Sequence, residues 1–190
     1  VAHPGKYGEH DADWGIIFVP ENRSEPDSGL IRLPVVRQRA RAAATAPPLF
    51  ALVGGPGNSN IWGSGDHPPR FFTHNDLVRV GYRGIDGGAK LRCPEFTRAL
   101  LVERPLSADN IALAREALRD CRDRLAGEGV DIDAYNLLEV VDDIEAVRKA
   151  LGYEKIDFLA VSWGTQIATT YCQRRGHGRR HDGDAAARQT

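Results

Sequence analysis

Ser162 is the residue whose surroundings offer nucleophilic chemistry. It follows an apolar run from Ile156 to Val161 and precedes Trp163-Gly164-Thr165, after which the pattern turns helical. Strand, sharp turn bearing serine, then helix is the sequence form of a nucleophile elbow. The strand delivers the serine to the carboxyl edge of a sheet. The turn holds the hydroxyl outward, and small residues beside it let strand and helix approach closely. The usual pattern is Gly-x-Ser-x-Gly, with Ala160 here at the first glycine. A structural strand-to-helix turn reads the same way over so few residues, so the choice rests on what else the chain carries.

Two further loops bear on that choice. Residues 49–53 are a continuous apolar run, as a strand covered on both faces requires, and lead straight into Gly54-Gly55-Pro56-Gly57-Asn58-Ser59-Asn60. Phosphate cradling does not fit: no Gly-Lys-Ser/Thr follows, Gly-x-Gly-x-x-Gly is absent, and Pro56 removes a donor. A loop that points one backbone N–H at a developing oxyanion does fit. Residues 75–80 read as another strand, followed by Gly81-Tyr82-Arg83-Gly84-Ile85-Asp86-Gly87-Gly88, where Arg83 is expected to bond the carbonyls of neighbouring loops. Other titratable groups point to no second chemistry. Asp142 and Asp143 are adjacent on a helix and do not face each other, so a solvated face is expected. His3 and His10 are expected at the surface, and His67 and His74 in loops. Cys93, Cys121 and Cys172 match no zinc spacing, and Cys172 is expected to be a buried thiol. No metal or other cofactor is called for.

The elements that would position these residues follow from pattern. A strand starts at Trp14 and ends at Pro20, turn formers fill residues 21–29, and a second strand covers residues 30–36, giving an antiparallel hairpin. Residues 1–13 read as a loose lead-in and residues 37–48 as a solvated basic connection. Ser107 is a good N-cap for a helix over residues 108–126, whose Leu118, Cys121 and Leu125 recur on one inward stripe, and Gly127 and Gly129 end it. A second helix near residues 137–151 puts Val140, Ile144, Val147 and Leu151 on one stripe and closes at Gly152. With 190 residues, 42% hydrophobic and 27% charged, the composition is that of an ordinary soluble globular domain. Lys+Arg 25 against Asp+Glu 26 gives a net charge of -1, which excludes any global charge argument for nucleic acid or an anionic membrane. No run approaches the roughly 20 apolar residues of a membrane span. No signal peptide is visible, although the chain starts at Val1 and lacks Met, so an upstream segment stays open.

In this order the residues resemble the serine aminopeptidases of the proline iminopeptidase and tripeptidyl aminopeptidase family. Val53-Gly54-Gly55-Pro56-Gly57 is similar to that family's His-Gly-Gly-Pro-Gly loop, with Val53 in place of His. Gly81-Tyr82-Arg83-Gly84-Ile85-Asp86-Gly87 resembles its Asp-x-Arg-Gly-x-Gly loop. Ser162-Trp163-Gly164 with Ala168, Tyr171 and Gln173 resembles its elbow and following helix, and Val19-Pro20-Glu21-Asn22-Arg23-Ser24 fits the same relatives. The resemblance implies the N-terminal portion of an α/β-hydrolase fold over residues 14–174: a leading antiparallel hairpin, then a mostly parallel sheet with flanking helices. It implies acyl transfer, with Ser162 as nucleophile, the N–H groups of Gly54 and Trp163 as oxyanion donors, and a peptide or small amide or ester as substrate. Cys93 and Cys121 fall where the tripeptidyl aminopeptidase relatives carry a disulfide. A bridge there would point to export; two buried thiols are the alternative and leave a cytoplasmic location open.

The pattern breaks after the elbow helix. Residues 175–190 contain no Val, Ile, Leu or aromatic residue and are expected to be a disordered polar tail, as from a truncated reading frame. In α/β-hydrolases the acid and the histidine follow the serine. Here His177, His181, Asp182 and Asp184 lie beyond a helix leading away from Ser162, so no triad base or acid is assigned. Weak or absent activity of this chain is expected. A carboxylic-ester hydrolase of the same fold and a non-catalytic remnant or interaction module are the alternatives.

Overall fold

The computed structural model describes residues 2–62, 73–88, 90–102 and 107–176. Its sheet begins where a loose lead-in is expected. β1 (His3–Tyr7) pairs antiparallel with β2 (His10–Pro20), from His3 against Trp14 to Tyr7 against His10. Gly8 takes φ 58° between them, the left-handed geometry that two-residue hairpin turns favour. The lead-in reading is therefore corrected for residues 3–7 and 10–13. Their polar content hides an apolar face, because Tyr7 and Ala12 are buried with Val36 and Ile61.

The expected hairpin follows. β3 (Leu30–Gln38) runs antiparallel to β2, with Trp14 against Val36 and Ile17 against Leu33. The strand extends two residues into the stretch expected to be a solvated basic connection. Asp13 is the reason, since its carboxylate accepts Arg37 at 2.6 Å and Arg39 at 2.7 Å and so draws the basic residues against the sheet. β4 (Leu49–Leu52), β5 (Leu77–Val80) and β6 (Asp157–Ala160) complete a sheet of order β1-β2-β3-β5-β4-β6. β3 pairs antiparallel with β5, whereas β5, β4 and β6 are mutually parallel. That parallel set sends three successive loops to one edge, where Ser162 stands.

Among the described residues the α-helices are α1 (Pro94–Leu100), α2 (Ala108–Gly127), α3 (Leu137–Ala150) and α4 (Trp163–Gly176), and α3 and α4 pack on the sheet. Ser107 caps α2 by accepting from the Asn110 N–H, and Asn136 caps α3 by accepting from Leu138 and Glu139. Both helices end in paired reverse bonds around a left-handed glycine, Gly129 at φ 84° and Gly152 at φ 74°, which satisfies their last carbonyls. The main core joins Phe50 and Leu52 of β4 and Val78 and Val80 of β5 to α3 and α4. Val140, Ile144 and Val147 supply the α3 side and Ile167 and Tyr171 the α4 side.

Three burial expectations change. Leu118 is exposed although Cys121 and Leu125 on its stripe are buried, because α2 packs on the short α1 rather than on the sheet. Asp143 is 1% exposed rather than solvated, for a reason given below. Cys172 is exposed, since its flank of α4 faces the open side of β6.

Candidate active site

The elbow is built as a sharp turn between β6 and α4. Ser162 has φ 52° and is the one non-glycine residue with positive φ among those described. For a residue with a Cβ that conformation costs roughly 1–2 kcal/mol, so the surrounding contacts must impose it. They are identifiable. The Val161 N–H donates to the Leu52 carbonyl at 3.0 Å, fixing the chain on β4 just before the turn. The Ser162 carbonyl then accepts the Thr165 N–H at 2.9 Å and the Thr165 hydroxyl at 2.6 Å, which starts α4 at once. Gly164 permits that start: a Cβ there would lie 2.5 Å from the Leu52 carbonyl oxygen. The Ser162 side chain is left exposed.

Gly54 reaches the same place from the end of β4. A Cβ on Gly54 would meet the Ser162 Cβ at 2.9 Å, so only glycine lets this backbone lie against the serine. The Gly54 and Trp163 N–H groups donate to no backbone carbonyl among the described residues. Trp163 is the first residue of α4, where the amide has no intrahelical acceptor. Ser162, Gly54 and Trp163, singled out from the sequence, are thus brought together.

The supports of these loops were not anticipated. Asn60 is fully buried and bonds three ways: its Oδ1 accepts the Val53 N–H at 3.0 Å, and its Nδ2 donates to the carbonyls of Ala51 at 3.1 Å and Val80 at 2.8 Å. The Asp86 carboxylate accepts Ser59 Oγ at 2.5 Å, the Asn60 N–H at 2.9 Å and the Tyr82 N–H at 3.0 Å. It ties the glycine-proline loop to the loop after β5. Tyr82 is buried, its hydroxyl faces the Val53 carbonyl at 3.4 Å, and its ring meets that of Trp163 edge-on, centroids 5.2 Å apart. Burial pushes its phenol well above the ordinary tyrosine value, so the hydroxyl stays a donor. The one available signal was a carboxylate set among glycines, Gly84 and Gly87 taking φ 77° and 92°. A loop folded back that tightly needs an acceptor for its own N–H groups.

Arg83 bonds loop carbonyls as expected, those of Glu21 at 2.6 Å and Ala134 at 2.7 Å. It also grips Asp143 with Nε at 2.7 Å and Nη2 at 2.8 Å. Arg23 reaches the same carboxylate at 2.7 Å. Asp143 therefore belongs to a buried pairing that locks the loop after β5 onto α3, and an isolated charge there would be prohibitively costly. Its neighbour Asp142 points outward to Arg174 and Arg175.

Cys93 and Cys121 form a disulfide with Cα atoms 5.4 Å apart, which decides between the two readings of these residues. No described histidine is near Ser162. His3 and His10 are on β1 and β2, at the sheet edge opposite β6. The His74 carbonyl accepts from Thr45 and Ala46, ahead of β4 and so at the end of the sheet away from the elbow. His67, His177, His181, Asp182 and Asp184 lie outside the described residues, as does most of the expected polar tail. Among the described residues no cluster of His, Cys, Asp and Glu could hold a metal ion, and no helix is long and apolar enough to cross a membrane.

Residues 47–178 match the family model described as alpha/beta hydrolase fold. The chain is 28% identical over 176 residues to the serine protease Hip1 of Mycobacterium tuberculosis, covering 84% of this chain and 32% of that protein. It is 28% identical over 189 residues to the tripeptidyl aminopeptidase of Streptomyces coelicolor, covering 84% of this chain and 34% of that one. The chain therefore spans about a third of the length of these curated relatives. Among solved structures, a proline iminopeptidase-related protein from Thermus thermophilus aligns with TM-score 0.44 and 20% identity, over 85% of this chain and 40% of that one.

Proposed function

The chain belongs to the α/β hydrolase fold family, and from that premise we propose that it carries the nucleophilic half of a serine hydrolase of aminopeptidase type. The observation that carries this reading is Ser162, held at φ 52° between β6 and α4 with the Gly54 backbone against it. In the proposed reaction Ser162 Oγ attacks the carbonyl carbon of a peptide, amide or ester near a substrate's N-terminus. The hydroxyl proton passes to a base and the carbonyl π electrons move to oxygen. The oxyanion so formed takes hydrogen bonds from Gly54 and Trp163, each such donor being worth about 2.7–4 kcal/mol in the transition state. Collapse expels the amine or alcohol, which takes up the proton, and leaves an acyl group on Ser162 for water to remove.

The peptidase preference over a plain esterase rests on the names of the relatives, Hip1 and tripeptidyl aminopeptidase. The base and its orienting acid have no place among the described residues. The alternative reading is a domain that keeps the elbow without turnover. The Cys93–Cys121 bridge supports residence in an oxidising compartment.

A fluorophosphonate reagent separates the two readings. Its phosphorus accepts the serine oxygen while fluoride leaves, and the phosphonyl oxygen occupies the oxyanion position. The hydrolase reading expects labelling that maps to Ser162 and is lost in Ser162→Ala, whereas the elbow without turnover expects none. Labelling that survives Ser162→Ala overturns the nucleophile assignment.

A further inference from the structure

The two amides proposed as oxyanion donors come from separate loops, and a hole of this kind works only if both are held before charge develops. The bond pattern around Val53 shows what holds the first. The Val53 carbonyl and the Gly54 N–H belong to one planar peptide unit, so fixing the carbonyl fixes the direction of the N–H. Tyr82 presents its hydroxyl to that carbonyl at 3.4 Å, and Asn60 Oδ1 accepts the Val53 N–H at 3.0 Å. Val53 is thus gripped on both of its backbone polar groups by side chains that are themselves buried. The same tyrosine ring stands edge-on against Trp163 at 5.2 Å and 82°, beside the second amide. Its own backbone is pinned, because the Tyr82 N–H donates to the Asp86 carboxylate, which also holds Ser59 and Asn60.

We infer that Tyr82 is the positioning residue that couples the two oxyanion donors, orienting the Gly54 N–H through the Val53 carbonyl and the Trp163 N–H through ring packing. This rests on the proposed role of Ser162. Tyr82 touches no reacting atom. Its hydroxyl proton polarises the Val53 carbonyl, which leaves the Gly54 N–H a stronger donor, as chained hydrogen bonds do. The 3.4 Å separation is long for an O–H···O bond, and such contacts commonly tighten once the site is occupied. A phosphonyl or acyl oxygen that draws on the Gly54 N–H polarises the same peptide unit and makes the Val53 carbonyl a better acceptor for Tyr82.

The test compares the full chain with Tyr82→Phe, which keeps the ring against Trp163 and removes only the hydroxyl. Tyr153→Phe serves as control, since it removes a half-buried tyrosine's bond to Asp76, 2.6 Å long, at another part of the sheet. Phosphonylation of Ser162 is followed at varied fluorophosphonate concentration. For Tyr82→Phe the maximal inactivation rate should fall about tenfold, the order expected when a reacting geometry loses one orienting contact. Reagent affinity and thermal unfolding should stay those of wild type, and Tyr153→Phe should react as wild type. The Gly54 amide resonance in a 15N-labelled sample should shift in Tyr82→Phe and not in Tyr153→Phe. A merely structural tyrosine would lower unfolding temperature and leave the rate of the folded fraction alone. Equal maximal rates for Tyr82→Phe and wild type, or an unmoved Gly54 resonance, overturn the inference while leaving the nucleophile in place. A wild-type chain that is never phosphonylated at Ser162 overturns the functional reading and this inference together, an outcome distinct from the first because wild type itself is silent.

Discussion

A serine at φ 52° stores backbone strain, and the sign of its release can be worked out. Left-handed geometry costs a residue with a Cβ roughly 1–2 kcal/mol. Glycine removes that cost but loses more chain entropy on folding, roughly 0.5–1 kcal/mol. Ser162→Gly should therefore be more stable than Ser162→Ala by about 0.5–1 kcal/mol in chemical denaturation, both variants being equally unreactive. Equal stability, or a more stable alanine variant, would show that the turn is relaxed. The residues of the elbow were legible because each is announced locally: an apolar strand, a small residue, a helix. Gly54 was legible for the same reason. Tyr82, Asn60 and Asp86 were not. Their bonds span 29, 20 and 26 residues, and nothing in a tyrosine or an asparagine says which distant carbonyl it will meet. Asp143 was misread because a carboxylate's burial depends on its cation, and Arg83 lies 60 residues away.

Among the elements, α1 is the one that its own sequence does not stabilise. It has seven residues, none of them buried, and no side-chain N-cap, whereas an isolated helix needs roughly 12–15 residues to be even marginal in water. It carries no apolar period, which is why it escaped a reading based on pattern, while α2 and α3, with caps and stripes, did not. Two devices hold it: the Cys93–Cys121 disulfide, closing a separation of 28 residues, and the Glu95–Arg124 pair at 2.8 Å. An ion pair this close to solvent adds little, whereas a disulfide over such a loop contributes about 3–4 kcal/mol in the loop-closure account. The disulfide dominates. Reduction, or the double variant Cys93→Ser/Cys121→Ser, should therefore speed tryptic cleavage after Arg92 and Arg98, flanking and within α1, and leave cleavage after Arg148 in α3 unchanged. Identical digestion of reduced and oxidised protein at Arg92 and Arg98 would mean that α1 is held by something other than the bridge.

At the scale of the whole molecule the sheet is finished on one side and open on the other. On the first side β1 caps β2 with a short, polar strand, the usual way of blunting an edge. On the second, β6 pairs with β4 alone among the described residues. Its outward ladder groups meet no neighbour there, and a groove of about 520 Å³ runs beside it, lined in part by Ile156, Phe158, Tyr171 and Cys172. Val161, just past the strand, is 60% exposed. An unpaired strand with apolar flanks recruits another strand, and the nearest supply in a purified sample is a second copy. The chain should therefore self-associate as its concentration rises, read as an increasing weight-average mass in sedimentation equilibrium. Val161→Lys places a charge at that edge without entering the core, because the side chain it replaces is already in solvent. It should raise the concentration needed for association about tenfold, the equivalent of about 1.4 kcal/mol. Ser162 would remain as open to fluorophosphonate as before. A wild-type mass that stays monomeric at all concentrations would show the β6 edge to be protected, and an unchanged association curve for Val161→Lys would move the contact to another surface.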